Sequence, residues 1–242
     1  MRSRAALTLS LLVLAAATTA RADQLLWDNY PDGIQDATVN MSSERNTQVI
    51  ESTWVVDDVD IAEALPGIAP GNVSLTDLTW IGSRNPNFTY DKADVIILDT
   101  YRNTMMEILD LDYSYVDLDP DPNPAADAQT YEATLSLAEL EIELPGDHFY
   151  IGVRLVGDNY FLGRNQTVTS SIDSTSRGRT EGFVKGAIFG APTWTVASDL
   201  WYGGPTPNQN FEFAFRLNAN VTPEPTALSL LVIGGLVFVR RR

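Results

Sequence analysis

The chain contains no cysteine and only one histidine. Without cysteine it can form neither a disulfide framework nor a thiolate metal site, and one histidine excludes a three-histidine zinc site. Basic residues are also scarce: 16 Lys and Arg stand against 32 Asp and Glu, which gives a formal net charge of −16. Because a phosphate backbone is bound by a basic surface, this balance excludes nucleic acid as a natural partner.

Two further absences concern catalysis and helices. The chain has no G-x-S-x-G motif for a nucleophilic serine, and the pattern predicts His148 on the polar face at the start of a strand, as a surface or rim histidine. No segment has the 3.6-residue periodicity of an amphipathic helix, although residues 60–65 are compatible with one helical turn. Apolar residues still make up 44% of the chain, enough for a core, and we predict one domain between two short terminal segments.

The first 22 residues have the three parts of a secretory signal peptide. Arg2 and Arg4 provide a basic start, residues 5–17 form an uncharged apolar run, and residues 20–22 read Ala-Arg-Ala. The small residues occupy the two positions that signal peptidase reads, so we predict export and cleavage after Ala22. The apolar run is short for a membrane span.

The last 20 residues, 223–242, combine a proline motif, an apolar run over 227–239 and a terminal basic cluster. The motif and cluster consist of Pro223, Glu224, Pro225, Arg240, Arg241 and Arg242. As a helix the run would rise about 20 Å, against about 30 Å of bilayer hydrocarbon, which favours a transient membrane association over a permanent anchor. The basic flank is typical of a cytoplasmic stop.

This order of parts resembles the PEP-CTERM family, the C-terminal sorting signal of certain Gram-negative bacteria. The resemblance implies recognition by an exosortase, a membrane transpeptidase that cuts near Pro-Glu-Pro and can pass the protein to another surface component. It implies localisation at the cell envelope surface or in the extracellular matrix. It covers about 20 residues and says nothing about the fold of the rest.

The segment between the two ends, residues 23–222, is more acidic than the whole chain. The ends hold six of the basic residues and one acidic residue, which leaves 10 basic and 31 acidic residues and a net charge of −21. Such a charge keeps an exported domain soluble, repels anionic surfaces and favours cations nearby.

The hydrophobic periodicity of this segment is 2, which predicts strands with one wet face. Clear examples are residues 137–144, 148–156 and 211–217, and the Pro-Gly-Asp turn at 145–147 predicts a hairpin between the first two. Further strands are predicted at 24–27, 49–56, 73–81, 94–98, 105–111, 166–172, 182–189 and 193–197. Short strands separated by Gly, Pro, Asn and Asp predict an all-β, antiparallel, jelly-roll-like β-sandwich.

Four short segments, in their order along the chain, resemble the β-sandwich ectodomains that often precede this sorting signal. They are Leu-Trp-Asp-Asn at 26–29, Val-Asp-Asp-Val at 56–59, Trp-Ile-Gly at 80–82 and Pro-Gly-Asp-His-Phe-Tyr-Ile-Gly at 145–152. Val59 stands where those domains usually have an aromatic residue. The resemblance supports a sandwich and implies no ligand.

An acidic stretch after residue 110 is the candidate metal site. Asp117, Asp119, Asp121 and Asn123 alternate along the chain in the manner of oxygen ligands in a calcium loop. Pro122 stands where such a loop needs glycine, and Ala128 stands where a bidentate Glu would close it. These departures favour a solvated acidic loop over a Ca²⁺ site, and no other cofactor is predicted.

A second acidic cluster follows a predicted strand. Neighbouring side chains of a strand point to opposite faces, so Asp57 and Asp58 are not expected to share one site. We interpret them, with Asp60, as polar residues of a strand end.

Aromatic residues are the candidate contacts to sugars, whose C–H faces stack on exposed rings. Trp201, Tyr202 and Trp194 are the candidates for glycan stacking, whereas Trp54 and Trp80 lie in strand patterns and are predicted in the core. Packing of loop aromatics on the sheet edge remains the alternative.

The sequence therefore predicts a non-catalytic, exported surface or matrix protein that is adhesive or associated with polysaccharide. Signal peptidase and an exosortase are its expected partners during export, and envelope or extracellular polysaccharide is a candidate partner afterwards. The alternative is a carbohydrate-binding module that uses loop aromatics, with or without Ca²⁺. An enzyme acting on polysaccharide is the third hypothesis, because paired carboxylates suit glycoside hydrolysis.

Overall fold

The computed structural model describes residues 23–29, 40–47, 51–84, 89–118, 129–157, 165–168, 182–186, 190–200 and 213–222. Almost all of the regular structure in these ranges is β-strand. The strands are β1 (Asp23–Asp28), β2 (Asn40–Ser42), β3 (Glu44–Asn46), β4 (Glu51–Asp60), β5 (Val73–Arg84), β6 (Tyr90–Leu98), β7 (Thr104–Leu111), β8 (Ser114–Asp117), β9 (Gln129–Ser136), β10 (His148–Gly157), β11 (Asn165–Val168), β12 (Phe183–Gly186), β13 (Ala191–Val196) and β14 (Phe215–Val221).

The first sheet, sheet A, is built around the long strand β5. One edge of β5 pairs with β9, which in turn pairs with β8. The other edge pairs first with β14, which continues to β1, and then with β11, which continues to β2. Gly82 leaves room for the Tyr131 ring of β9 on the surface of β5, because a Cβ at position 82 would overlap that ring.

The second sheet, sheet B, has the order β13-β12-β4-β3-β10-β6-β7, and β4 also pairs directly with β10. Its described pairings are antiparallel except that of β3 with β10. Gly152 on β10 is required for close approach, because a Cβ there would meet the Val55 carbonyl of β4.

The two sheets share one apolar core, which confirms the predicted all-β sandwich. Sheet A contributes Leu78 and Trp80, each 1% exposed, and sheet B contributes Phe149 and Ile151, at 0% and 2%. Burying large side chains of this kind contributes about 1.5–3 kcal/mol each. A chain without disulfides is thus held together by sheet packing.

The predicted hairpin of residues 137–144 with 148–156 is wrong. Residues 137–144 form turns and coil, Glu141 has the left-handed φ of 47°, and Ile142 reaches the core from this irregular backbone. The reason lies in β10, whose two edges are already occupied by β4 and β6. Strands β2, β3, β8 and β9 were also not predicted from the sequence.

The predicted wet face of β10 is wrong as well. Tyr150, Gly152 and Arg154 lie on that face and are buried, and His148 is half-buried. A central strand of sheet B is therefore covered on both faces, and its polar residues need internal partners.

A single helical turn, α1 (Ile61–Ala64), follows β4, as predicted. Asp60 caps it by accepting a hydrogen bond from the Glu63 backbone N–H at 2.9 Å. The part of the chain that the structure describes contains no helix long and apolar enough to cross a membrane. The predicted signal peptide at 1–22 and the sorting signal at 223–242 lie outside the described residues.

The first and last described residues of the sandwich lie at the same end of sheet A. Asp23 pairs with Asn220 in the β1–β14 register, and the Thr222 backbone N–H donates to the Asn72 carbonyl at 2.8 Å. We call this end, which also contains the start of β5, the proximal end.

Candidate functional site

The paired aspartates of β4 point to opposite faces of sheet B. Asp57 is 1% exposed and points between the sheets, where its Oδ2 accepts hydrogen bonds from the Phe213 backbone N–H at 2.6 Å and from Asn29 Nδ2 at 3.3 Å. Its Oδ1 accepts from the Asp58 backbone N–H at 2.9 Å. In the described part of the chain, three neutral N–H donors thus bind this buried carboxylate.

This carboxylate connects the two sheets. Asn29 follows β1 and also donates its backbone N–H to the Phe215 carbonyl of β14 at 2.9 Å. Through Asn29 and Phe213, Asp57 holds the end of β1 and the entry to β14 against β4. A cavity of about 20 Å³, lined by Asp57, Leu78 and Trp80, lies beside it. That volume suits about one water molecule and no larger ligand.

Asp58 points to the other face and pairs with the only histidine. Its Oδ2 lies 3.0 Å from His148 Nε2, and its side chain is 3% exposed against 28% for the histidine. The hydrogen bond to Asp58 raises the pKa of His148, burial opposes it, and the charges of Asp58 and Asp60 add to the increase. The ring of Tyr150 packs edge-on against the imidazole, with centroids 5.4 Å apart.

A cluster of ion pairs centred on Asp94 lies farther along sheet B. Asp94, on β6, is 0% exposed. Arg45 binds both of its oxygens, through Nε at 2.6 Å and Nη2 at 2.9 Å, and Arg154 Nε donates to Oδ2 at 2.8 Å. The Asp110 backbone N–H adds a fourth bond at 3.0 Å. One carboxylate therefore joins β3, β6, β7 and β10.

Two outer acidic residues complete the charge balance of the cluster. Arg45 also donates to Asp110 at 2.5 Å, and Arg154 donates to Glu107 at 3.2 Å. The guanidinium of Arg154 lies 3.8 Å from the centroid of the Trp54 ring, in cation–π geometry. The buried Arg154 is thus satisfied by carboxylates and by an aromatic face.

The pKa values in this cluster follow from burial and hydrogen bonding. Burial of Asp94 opposes its ionisation, but the hydrogen bonds from Arg45, the Asp110 backbone and Arg154 outweigh it and lower its pKa. Burial lowers the pKa of Arg154, which Asp94 partly offsets, whereas the hydrogen bond to Asp94 raises the pKa of Arg45.

The predicted calcium-like stretch is described only at its start. Asp117 is the exposed last residue of β8 and pairs with Tyr131 of β9. Asp119, Asp121 and Asn123 lie outside the described residues, so the predicted cation site stays a prediction. Across the described ranges, the structure contains no group of three or more His, Cys, Asp or Glu side chains that could hold a metal ion.

The predicted aromatic residues have separate positions. Trp54 and Trp80 are buried at 6% and 1% exposure, as predicted. Trp194 is half-buried in β13, packs against the cluster that contains Trp54, and has Lys185 Nζ at 5.5 Å from its ring centroid. Trp201 and Tyr202, like the sorting residues Pro223–Pro225 and Arg240–Arg242, lie outside the described residues.

Neither ionic site was predicted from the sequence. The Asp58–His148 bond joins residues 90 apart, and the Asp94 bonds to Arg45 and Arg154 span 49 and 60 residues. The Asp94 site has a signal in the sequence: Asp94 and Arg154 are charged residues within apolar strands, where a buried charge requires a partner.

Comparison of the chain with protein-family profiles, curated proteins and solved structures finds no match. The described carboxylates Asp57 and Asp94 are enclosed by hydrogen-bond donors from other strands. Their hydrogen bonds hold these strands together.

Proposed function

We propose that this chain is an exported, non-catalytic protein of the cell surface or extracellular matrix. Its β-sandwich is displayed after signal peptidase and an exosortase process its two ends. The observation that carries the proposal is the order of parts after the sandwich: a Pro-Glu-Pro motif, a short apolar run and three terminal arginines.

The geometry of the sandwich supports display from one end. Asp23 and Asn220 are register partners, so the segments before and after the domain leave at the same proximal end. A domain held there would direct its other end away from the membrane. The β8–β9 connection, which contains the candidate cation stretch, joins β9 at that other end, because β9 residues Gln129 and Thr130 pair with Arg84 and Ser83 of β5.

Replacement of Pro223, Glu224 and Pro225 by alanines tests the sorting step. We expect the variant to be exported and to keep its C-terminal tail, because the transpeptidase would no longer recognise its motif. The mass of the protein from membrane and surface fractions measures this. Alanines at Thr206, Pro207 and Asn208 are the control. Normal removal of the tail from the motif variant contradicts the proposal.

Association with polysaccharide is the proposed role of the displayed domain, with stacking by Trp201 and Tyr202 as the more specific alternative. A glycan array probed with the full chain, with and without EGTA, tests both. Loss of binding in the Trp201→Ala variant supports stacking, and a requirement for Ca²⁺ supports the Asp117–Asn123 site. A chain that binds no glycan contradicts both.

The third hypothesis, an enzyme acting on polysaccharide, predicts a different result. Hydrolysis of a bound glycan would disappear when one accessible carboxylate is replaced by its amide. Release of reducing ends over time from the array's positive glycans is the measurement. Binding without such release agrees with the non-catalytic proposal.

A further inference from the structure

A groove of about 630 Å³ lies at the proximal end of the sandwich. One wall is the start of β5, residues 73–76, and the other is the irregular segment 138–144. Its described lining is Pro70, Gly71, Val73, Ser74, Leu75, Thr76, Ala138, Glu141, Ile142, Glu143, Leu144 and Asn220. A volume of this size is typical of a binding groove.

The groove exists because β9 ends before β5 does. Ser136, the last residue of β9, pairs with Asp77, and one more hydrogen bond joins the Leu137 backbone N–H to the Thr76 carbonyl at 2.6 Å. Beyond this point the chain leaves the edge of β5. Residues 73–75 therefore have β14 on one edge and no described strand on the other.

The opposite wall has unused backbone groups. Residues 141–146 make no backbone hydrogen bond to any described residue, although Ile142 is 8% exposed and anchors the segment in the core. The free edge of β5 is the geometry in which an added strand gains affinity from main-chain hydrogen bonds, and the facing segment leaves room for it.

The charge of the groove selects the occupant. Glu141 and Glu143 line it, no described lining residue is basic, and the surrounding domain carries an excess of acidic residues. Residues two apart on an extended peptide lie about 7 Å apart on one face, so two basic side chains of a bound strand can both face the wall that carries Glu141 and Glu143. The buried Val73 and Leu75 favour small apolar residues between them.

We propose that this groove binds an extended peptide segment with Lys or Arg at alternate positions, which adds as a strand to the free edge of β5. The proposal does not depend on the sorting signal or on glycan binding. It assigns a peptide-docking site to the end of the domain from which both terminal segments leave.

Labelled synthetic peptides and the purified full chain test the proposal by fluorescence anisotropy. The probe alternates Lys with Val over eight residues, its first control has Glu for Lys, and its second has alternate backbone amides N-methylated. We expect the Lys peptide to bind and the Glu peptide not to bind. The N-methylated peptide should bind at least about tenfold more weakly than the Lys peptide, because it lacks the N–H groups that would pair with β5.

Two variants separate the groove from the bulk charge. Glu141→Lys/Glu143→Lys should weaken binding of the Lys peptide by about tenfold or more. Asp91→Lys/Asp199→Lys changes the net charge equally at exposed positions that do not line the groove, and should change the affinity less than about threefold. Circular dichroism confirms that both variants fold.

Hydrogen exchange identifies the contact itself. Bound peptide should slow exchange at the amides of residues 73–76 and 141–144 in the unmodified protein. Equal binding of the N-methylated peptide, equal loss in both double variants, or protection elsewhere overturns the proposal, as does binding of a neutral oligosaccharide in this groove with no binding of the Lys peptide.

Discussion

Asp57 and Asp94 are both fully buried aspartates of sheet B, and they differ in the charge of their partners among the described residues. Asp57 faces the core between the sheets and accepts hydrogen bonds from neutral N–H groups. Asp94 is on the other face and binds two guanidinium groups. Among the described residues, the same side chain at the same depth is therefore bound once by neutral N–H groups and once by opposite charges.

The charge of these partners determines how much stability is lost when the carboxylate is removed. Without Asp57, neutral donors lose an acceptor, which costs about 1–3 kcal/mol for a buried group. Without Asp94, the 5%-exposed Arg154 keeps its charge beside the half-buried Arg45, with only the outer acids Glu107 and Asp110 to balance them. A buried charge without its partner costs more than an unsatisfied dipole.

The largest expected effect is that of Asp94→Ala. We expect the free energy of unfolding, measured by urea denaturation, to fall by about 3–5 kcal/mol, because the variant leaves Arg154 buried beside an empty position. The double variant Asp94→Leu/Arg154→Met should recover a large part of this loss, since it removes both charges together. A loss below about 1 kcal/mol for Asp94→Ala would mean that the cluster is not buried in solution.

Acid should weaken the same cluster. The pKa of Asp94 is lowered in the folded chain, so its contribution to stability is present above the pKa of an unfolded aspartate and is lost as the pH falls through the folded value. The wild type should therefore lose more stability than Asp94→Asn between pH 5 and the acid transition.

The next effect concerns Asp57→Asn. The variant keeps the shape of the side chain, but both carboxylate oxygens accept from N–H groups, so the new amide NH₂ must face a donor. We expect a loss of about 1–3 kcal/mol in the free energy of unfolding. It should be smaller than the loss for Asp94→Asn measured in the same buffer, and the reverse order would contradict the distinction between the two sites.

Asp58 provides an intermediate case, because its partner can lose its charge. The pKa of His148 is raised in the folded chain, so the charged imidazole stabilises the fold fully below the unfolded pKa near 6.5, and this contribution disappears as the pH rises through the folded value. The free energy of unfolding should fall by about 1 kcal/mol or less over this window. His148→Gln should lack this pH dependence.

Local patterns predicted a large part of the sandwich. The period-2 runs at residues 73–81 and 211–217 correspond to β5 and to the bridge at Phe213 followed by β14, and the opposite directions of Asp57 and Asp58 follow from strand geometry alone. These features depend on residues a few positions apart, so the sequence contains the information directly.

The partners of these residues depend on non-local pairing. Phe213 lies 156 positions from Asp57, and no local pattern states which strand edge is adjacent to which. Residues 137–144 show the converse: they alternate like a strand, but the edges of β10 are occupied by β4 and β6. Local pattern therefore predicted where strands lie better than it predicted which strands pair. The ionic sites depend on that pairing.

The smallest expected effect is at Lys92 and Asp112, an ion pair of the same chemistry without burial. Their side chains are 39% and 90% exposed, and Lys92 Nζ lies 2.5 Å from Asp112 Oδ1. Water solvates each charge when the other is removed, so a double-mutant cycle of Lys92→Ala and Asp112→Ala should give a coupling below about 0.5 kcal/mol, falling further in 0.5 M salt. A coupling near that of Asp94 with Arg154 would show that burial does not set the energy of these pairs. If the coupling has the expected value, the burial of each aspartate and the charge of the partner that remains explain why the loss of stability decreases from Asp94 to Asp57 to Asp112.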